Sequence, residues 1–321
     1  MEHHTAGDPI SGLKWTHKTT EKVSKELRKA GLKVSPKTVA RLLKGLKFSL
    51  RVNHKKLAGK SSPHRNQQFE YISRMRRRFE AQGLPVISID TKKKEMLGRF
   101  KNNGRSWENA PVPVNDHDFK RNSVGSAIPW ALYETPGNRG HVFVGTSHNT
   151  PAFAVTALAR WWNSKGHRRY PKAKHLLILA DCGGSNGNRS RVFKYELQTR
   201  FCNRFGVKVT ICHYPPGTSK WNPIEHRLFS EISKNWAGEP LVSYETMLKF
   251  IRTTKTETGL VVKATLLPGN YPTGAKIPDS KMAEVYLRRH RVLPMWNYTL
   301  VLPFLPAVLR AGPSSSPFPP S

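Results

Sequence analysis

Two aspartates in this 321-residue chain each stand directly after a short apolar run. Asp90 follows Val86-Ile87-Ser88-Ile89, and Asp181 follows Leu176-Leu177-Ile178-Leu179-Ala180. Runs of that length and composition read as strands, and an open α/β sheet gathers its ligand sites outside the carboxyl ends of its strands. Two carboxylates delivered there together can hold hard divalent cations through oxygen. Either one alone reads better as a turn or cap residue. A third acid, Glu225, lies in Pro215-Pro216-Gly217-Thr218-Ser219-Lys220-Trp221-Asn222-Pro223-Ile224-Glu225-His226. With Asn222 as N-cap and Pro223 at N1, Glu225 falls at N3, where it can close a capping box. Ile224, Leu228, Phe229 and Ile232 form the buried stripe of the same helix, and Glu225 flanks it. Its carboxylate can therefore equally point along the core edge toward the strand ends, and position alone leaves both roles open.

Other residues near these acids invite a reading. Lys92, Lys93 and Lys94 beside Asp90 can steady phosphates or simply line a solvated turn. Lys220 and Trp221 can contact DNA, Trp221 as a stacking platform or as a packed loop residue. His226 reads as a surface or supporting histidine. The glycines after Asp181 (Gly183, Gly184, Gly187) lack the Lys-Ser/Thr of a P-loop, which argues against a nucleotide cofactor. Cys182, Cys202 and Cys212 form neither a disulfide framework nor a zinc pattern, and His213 beside Cys212 has no partner at ligand spacing. This cysteine usage suits a reducing, cytoplasmic compartment. No apolar run approaches the roughly 20 residues of a membrane span, and the first residues lack a signal-peptide stretch.

The elements that must position the acids follow in order. After the Asp90 strand, further strands are expected at 95–98, 127–133 and 141–146. A helix opens at Thr150-Pro151, then come the Asp181 strand, a helix over 189–205, a strand over 207–212 and a helix from Pro223. This α/β order matches an RNase H-like mixed sheet flanked by helices. Later, a helix is expected near 243–256, a strand near 259–266 and a helix near 279–289. Ahead of the sheet, Thr20 and Ser35-Pro36 start two short helices separated by Gly31, with Val39, Leu42 and Leu43 as the apolar face of the second. Two such helices read as a helix-turn-helix, with Lys37, Thr38, Arg41 and Lys44 exposed for phosphate and major-groove contact. A plain helical hairpin is the alternative. The expected organisation is a helix-turn-helix region at 1–50, a basic linker and helix at 51–84, the RNase H-like domain at 85–300, and a Pro/Ser-rich disordered tail at 301–321.

Charge points the same way. The chain carries 54 Lys plus Arg against 21 Asp plus Glu, a formal net charge of +33. Such a surface releases counterions on meeting a phosphate backbone.

The segment Pro215 to Ser230 resembles the third-carboxylate motif of DDE transposases. The fuller resemblance is to the ISAzo-thirteen family of bacterial insertion-sequence transposases, whose domain is also called the Rhodopirellula-type DDE domain. It rests on Ile87 to Glu95, Asp181-Cys182-Gly183-Gly184-Ser185-Asn186-Gly187, the Glu225 segment, Trp236 with Leu241 to Glu245, Tyr271 to Gly274, Trp296 to Thr299, and Val34 to Leu43. The resemblance implies Asp90, Asp181 and Glu225 as the catalytic and metal-binding triad. It also implies cleavage and strand transfer on double-stranded DNA at element ends, and a homo-oligomer on DNA in a bacterial, nucleoid-associated setting. The chemistry implied is that of two Mg²⁺ ions, with Mn²⁺ a substitute, about 3.5–4 Å apart, Asp90 bridging both. Cys182 stands where that family leads one to expect glycine, and Ser147-His148-Asn149 where acidic residues are expected. An inactive copy that only binds DNA, and a simple RNase H-like nuclease, are the competing readings.

Overall fold

The computed structural model describes residues 5–7, 14–16, 19–48, 62–106 and 108–303. The chain divides into two compact units, residues 1–58 and 59–321.

In the first unit, β1 (Thr5–Gly7) pairs antiparallel with β2 (Lys14–Thr16). Helices α1 (Thr20–Lys29) and α2 (Pro36–Gly45) follow. Thr19, one residue earlier than expected, caps α1 by accepting from the Lys22 N–H, and Ser35 caps α2 by accepting from the Thr38 N–H. The turn between them is held by Ser24 Oγ donating to the Val34 carbonyl, and Val23 and Val39 are buried. Leu42, expected on the apolar face, is 52% exposed. The inward face of so short a hairpin is narrow, and Val39 with half-buried Leu43 fills it.

The second unit opens with α3 (Arg65–Ala81) and holds β3 (Val86–Thr91), β4 (Glu95–Leu97), β5 (Gly125–Glu134), β6 (Arg139–Gly145), α4 (Pro151–Trp161) and α5 (His167–Arg169). After these come β7 (His175–Ala180), α6 (Arg191–Leu197), α7 (Asn203–Phe205), β8 (Lys208–His213), α8 (Ser230–Asn235), α9 (Tyr244–Thr253), β9 (Val261–Leu267), α10 (Asp279–Met282), β10 (Leu287–Arg289) and β11 (Asn297–Leu300). The sheet order is β10-β11-β8-β7-β3-β5-β6-β9, with β4 added against β5. β3, β5 and β6 form an antiparallel meander, while β7 and β8 run parallel to β3. That arrangement is RNase H-like, as the element order predicts, and it lines up the carboxyl ends of β3, β7 and β8.

Strand alternation sends successive side chains to opposite faces. Ile87, Ile89, Leu176 and Ile178 join Phe153, Leu158, Phe193 and Leu197 in one core. Val86, Leu177, Leu179 and Cys212 face Ile72, Met75 and Phe79 of α3. A third cluster sets Ile224, Leu228, Ile232, Met247 and Ile251 against Val142 and Val144.

Two features differ from the sequence reading. The helix expected over 279–289 stops at Met282 and the chain turns into β10, because Val285 and Leu287 pack on the core with a period of two. The 189–205 helix widens into a π turn at Gln198–Cys202, and similar turns occupy Trp162–Gly166 and Glu225–Phe229. The basic linker up to residue 61 and the tail beyond residue 303 lie outside the described residues. Among those described, no helix is long and apolar enough to cross a membrane.

Gly145, the last residue of β6, marks how closely α4 sits on the sheet. A Cβ there would meet the buried Phe153 ring at 2.7 Å. Gly145→Ala should therefore cost about 1–3 kcal/mol of overpacking, read as a lowered denaturant midpoint with an unchanged slope.

Candidate active site

Asp90 sits near the end of β3 and Asp181 just past the end of β7, on neighbouring parallel strands. Glu225 is the first residue of the π turn that leads into α8. Such a turn holds more residues than an ordinary helical turn and re-aims its side chains. The three acids act on one another. Burial, the Asp181 charge, and both the charge of Glu225 and a hydrogen bond to it push the Asp90 carboxyl up to about 8, opposed by the Thr91 N–H. Burial and the Glu225 charge also raise Asp181, while a hydrogen bond from Asn222 lowers it. None of the three is in an ion pair among the described residues.

The hydrogen bonds that support this set link β3, the end of β7, β8, β11 and α3. Asn222 is fully buried, and its side chain spans two of them. Its Nδ2 donates to Asp181 Oδ1 at 3.2 Å, while its Oδ1 accepts a short hydrogen bond from Ser88 Oγ in β3. Asn222 therefore does not spend its side chain capping the following helix, and Glu225 turns to Asp90 instead of closing a capping box. Beneath Asp181, His213 Nδ1 lies 2.8 Å from the Asp181 carbonyl and Nε2 lies 3.1 Å from the Tyr298 hydroxyl. Burial pushes this imidazole down to about 4, so it is neutral. The carbonyl can only accept, which places the ring proton on Nδ1 and makes Tyr298 the donor to Nε2. Gln68 of α3 in turn holds the His213 carbonyl and exchanges amide hydrogen bonds with Asn297 of β11.

A cavity of about 730 Å³ opens over Asp90 and Asp181 and is walled by the turn from Cys182 to Ser190, by Pro215 to Gly217, and by Asn149 and Trp296. Around Gly183 and Gly184 an added Cβ would meet nothing within 4 Å, so the turn offers bare backbone to a ligand. Cys182 donates its thiol to the Tyr214 carbonyl, and burial pushes it up to about 12. It is a packed thiol and no nucleophile.

The remaining candidates divide. Trp221 is 51% exposed, at the end of the turn Ser219–Trp221, of which Ser219 lines the cavity. It is braced by the Phe69 ring at 6.0 Å, with the Arg65 guanidinium and Lys220 Nζ at 5.9 and 5.6 Å from its centroid. Lys93 and Lys220 are exposed. Lys92 is turned inward, with Nζ 3.4 Å from Glu95 and 4.8 Å from the Trp236 ring centroid. Lys37, Arg41 and Lys44 are exposed on α2, and Thr38 Oγ1 pairs with Ser35 Oγ. Asn222, His213 and Gln68 carry no signal in the sequence as supports, because their partners lie 41, 32 and 145 residues away.

Among the described residues, no three His, Cys, Asp or Glu side chains close around one point that could hold an ion. The acids instead form an open, mutually repelling set. In its chemistry that donor set nonetheless fits a hard divalent cation, because neighbouring carboxylates without a basic partner are relieved by one.

A family model described as the Rhodopirellula transposase DDE domain matches residues 1–302. No curated protein matches the chain. Among solved structures, it is similar to the Mos1 transposase paired-end complex with left transposon end, at 14% identity over 73% of this chain and 65% of that one, with a TM-score of 0.42. It is also similar to the mariner Mos1 paired end complex with Mg, at 14% identity over the same shares, with a TM-score of 0.47. The chain thus spans 65% of the length of those Mos1 chains.

Replacing Asn222 separates the positioning of the acids from the acids themselves. Asn222→Ala leaves buried Ser88 without its acceptor and removes the bond that lowers Asp181. Stability should fall by about 1–3 kcal/mol, and the pH at which the protein begins to bind Mn²⁺ should move upward. Chemical denaturation and Mn²⁺ titrations across pH read the two effects separately. A purely structural Asn222 would change only the first.

Proposed function

The chain belongs to the Rhodopirellula transposase DDE domain family, and on that premise we propose that it cuts and rejoins DNA with Asp90, Asp181 and Glu225 as its acid triad. The observation that carries this reading is that Asp90 and Asp181, at the carboxyl ends of β3 and β7, are both raised by burial and by the charge of Glu225 beside them. Those side chains would hold divalent metal, Mg²⁺ or in its place Mn²⁺. When bound, such ions supply Lewis acidity at phosphorus and an activated oxygen nucleophile.

The chain's own residues do the rest. Asp90 holds a proton up to about pH 8 in the metal-free protein and must release it to become a ligand. Asn222 and His213 fix Asp181 from its carboxylate and its carbonyl. The bare turn at Gly183 and Gly184 admits a phosphate backbone close to the acids, and Trp221, two residues after the cavity-lining Ser219, offers an exposed ring for stacking. Exposed Lys93 and Lys220, close in sequence to Asp90 and Ser219, supply positive charge to the same DNA. In the first unit, α2 presents Lys37, Thr38, Arg41 and Lys44 to DNA in the manner of a recognition helix. Paired element ends as substrate, and a homo-oligomer that holds them, complete the proposal.

Asp90→Asn and Glu225→Gln should each abolish Mg²⁺-dependent nicking of a duplex carrying the element's terminal repeat, with duplex affinity kept within about twofold. Retained nicking removes the triad assignment. A wild-type chain that binds but never nicks identifies a DNA-binding copy without catalysis.

The Asp90 shift adds a pH dependence. Its folded value of about 8 lies above the ordinary 3.8, so between those values the folded chain keeps a proton that the unfolded chain gives up. Stability contributed by protonated Asp90 is full below about pH 4 and is lost as pH rises to about 8. Metal-free wild type should therefore lose Tm relative to Asp90→Asn across that window. Mg²⁺ should restore it in wild type and not in the variant.

A further inference from the structure

Away from the acids, a second cleft of about 510 Å³ opens between the later turns of α3 and the edge strand β10. Arg78, Arg288, Arg289 and Arg291 line it, and none of its twelve lining residues is acidic. None of these arginines is in an ion pair among the described residues. Arg78, Arg288 and Arg291 are exposed at its rim.

The floor is built of hydrogen bonds. Tyr71 OH lies 2.6 Å from His290 Nδ1, and His290 Nε2 lies 2.8 Å from Thr299 Oγ1. Thr299 and Thr210 hydroxyls pair at 2.7 Å, and Thr210 meets His175 Nε2 at 2.8 Å. This chain joins α3, β11, β8 and β7 and fixes the base on which the arginines stand. Burial pushes His175 down to about 4, and the charges of Lys208, Arg78 and Arg288 push in the same direction.

Several guanidinium groups facing one cleft without a counter-ion repel one another, and an anion relieves them. Guanidinium forks match phosphate oxygens in pairs. We propose that this cleft is a second phosphate-binding site, gripping the backbone of the same DNA duplex whose reacting phosphate lies at the acids. The duplex part of this assignment rests on the transposase reading. His175 begins β7 and Asp181 follows its end, so six residues of strand separate the two sites, about 20 Å. That is the rise of about six base pairs.

The test uses the full chain carrying Asp90→Asn, without metal, so that no DNA is cut. Its affinity for a duplex of terminal-repeat sequence is measured across salt concentration. Adding Arg78→Gln and Arg288→Gln should lower the slope of log K against log salt by about 0.9 for each phosphate no longer neutralised, while Arg78→Lys with Arg288→Lys keeps the parent slope. Neutral methylphosphonate linkages should weaken parent binding about six base pairs from the cleaved bond and leave the Gln variant unaffected. An unchanged slope in the Gln variant overturns the cleft, as does a Lys variant as weak as the Gln variant. If the parent binds no duplex, the cleft and the transposase reading both fall. If the slopes differ as expected but wild type never nicks with Mg²⁺, the catalytic reading alone falls.

Discussion

Electrostatic repulsion among Asp90, Asp181 and Glu225 is the constraint around which the second unit is arranged. Three carboxylates left to solvent would separate. Here two are anchored at the ends of adjacent parallel strands, and the third is carried on a π turn that faces them. Burial and proximity keep a proton on Asp90 well above the ordinary carboxylate range. Under the proposed function, a divalent cation bound there would exchange that proton for a stronger electrostatic partner.

Holding such a set requires rigid supports that do not neutralise it. Neutral groups serve. Asn222 ties Asp181 to Ser88 across the two strands, and the uncharged His213 holds the Asp181 carbonyl from below. Behind them, Gln68 and Asn297 couple α3 and β11 to the same histidine. An arginine or lysine in any of these places would pair with the acids and weaken their claim on a metal. Among the described residues, exposed basic side chains line α2 and the cleft beside β10 instead.

Much of the plan is legible in the sequence because it is written locally. Val86 to Ile89 and Leu176 to Ala180 announce buried strands, and their following aspartates mark the sheet's carboxyl edge. Caps at Ser35 and Thr150 place helices to the residue. The direction of Glu225 is not local, since the same spacing suits a capping box. What decides it is the buried bond from Asn222 to strands more than 40 residues away. The edge strand β10 and its neighbour β11 escape notice because they are short, and the arginines of β10 hide its period of two. Lys92 and Leu42 show the converse, a charged side chain drawn inward and an apolar one left outside, each decided by neighbours that the sequence does not bring into view.

If Asp90, Asp181 and Glu225 form a divalent-metal site, metal must sit among their oxygens. A crystal of the full chain saturated with Mn²⁺ and measured at the manganese absorption edge tests it most directly. An anomalous peak should lie about 2 Å from carboxylate oxygens of Asp90 and at least one of the other two. Bound Mn²⁺ elsewhere in the crystal, with all three carboxylates left bare, would contradict it.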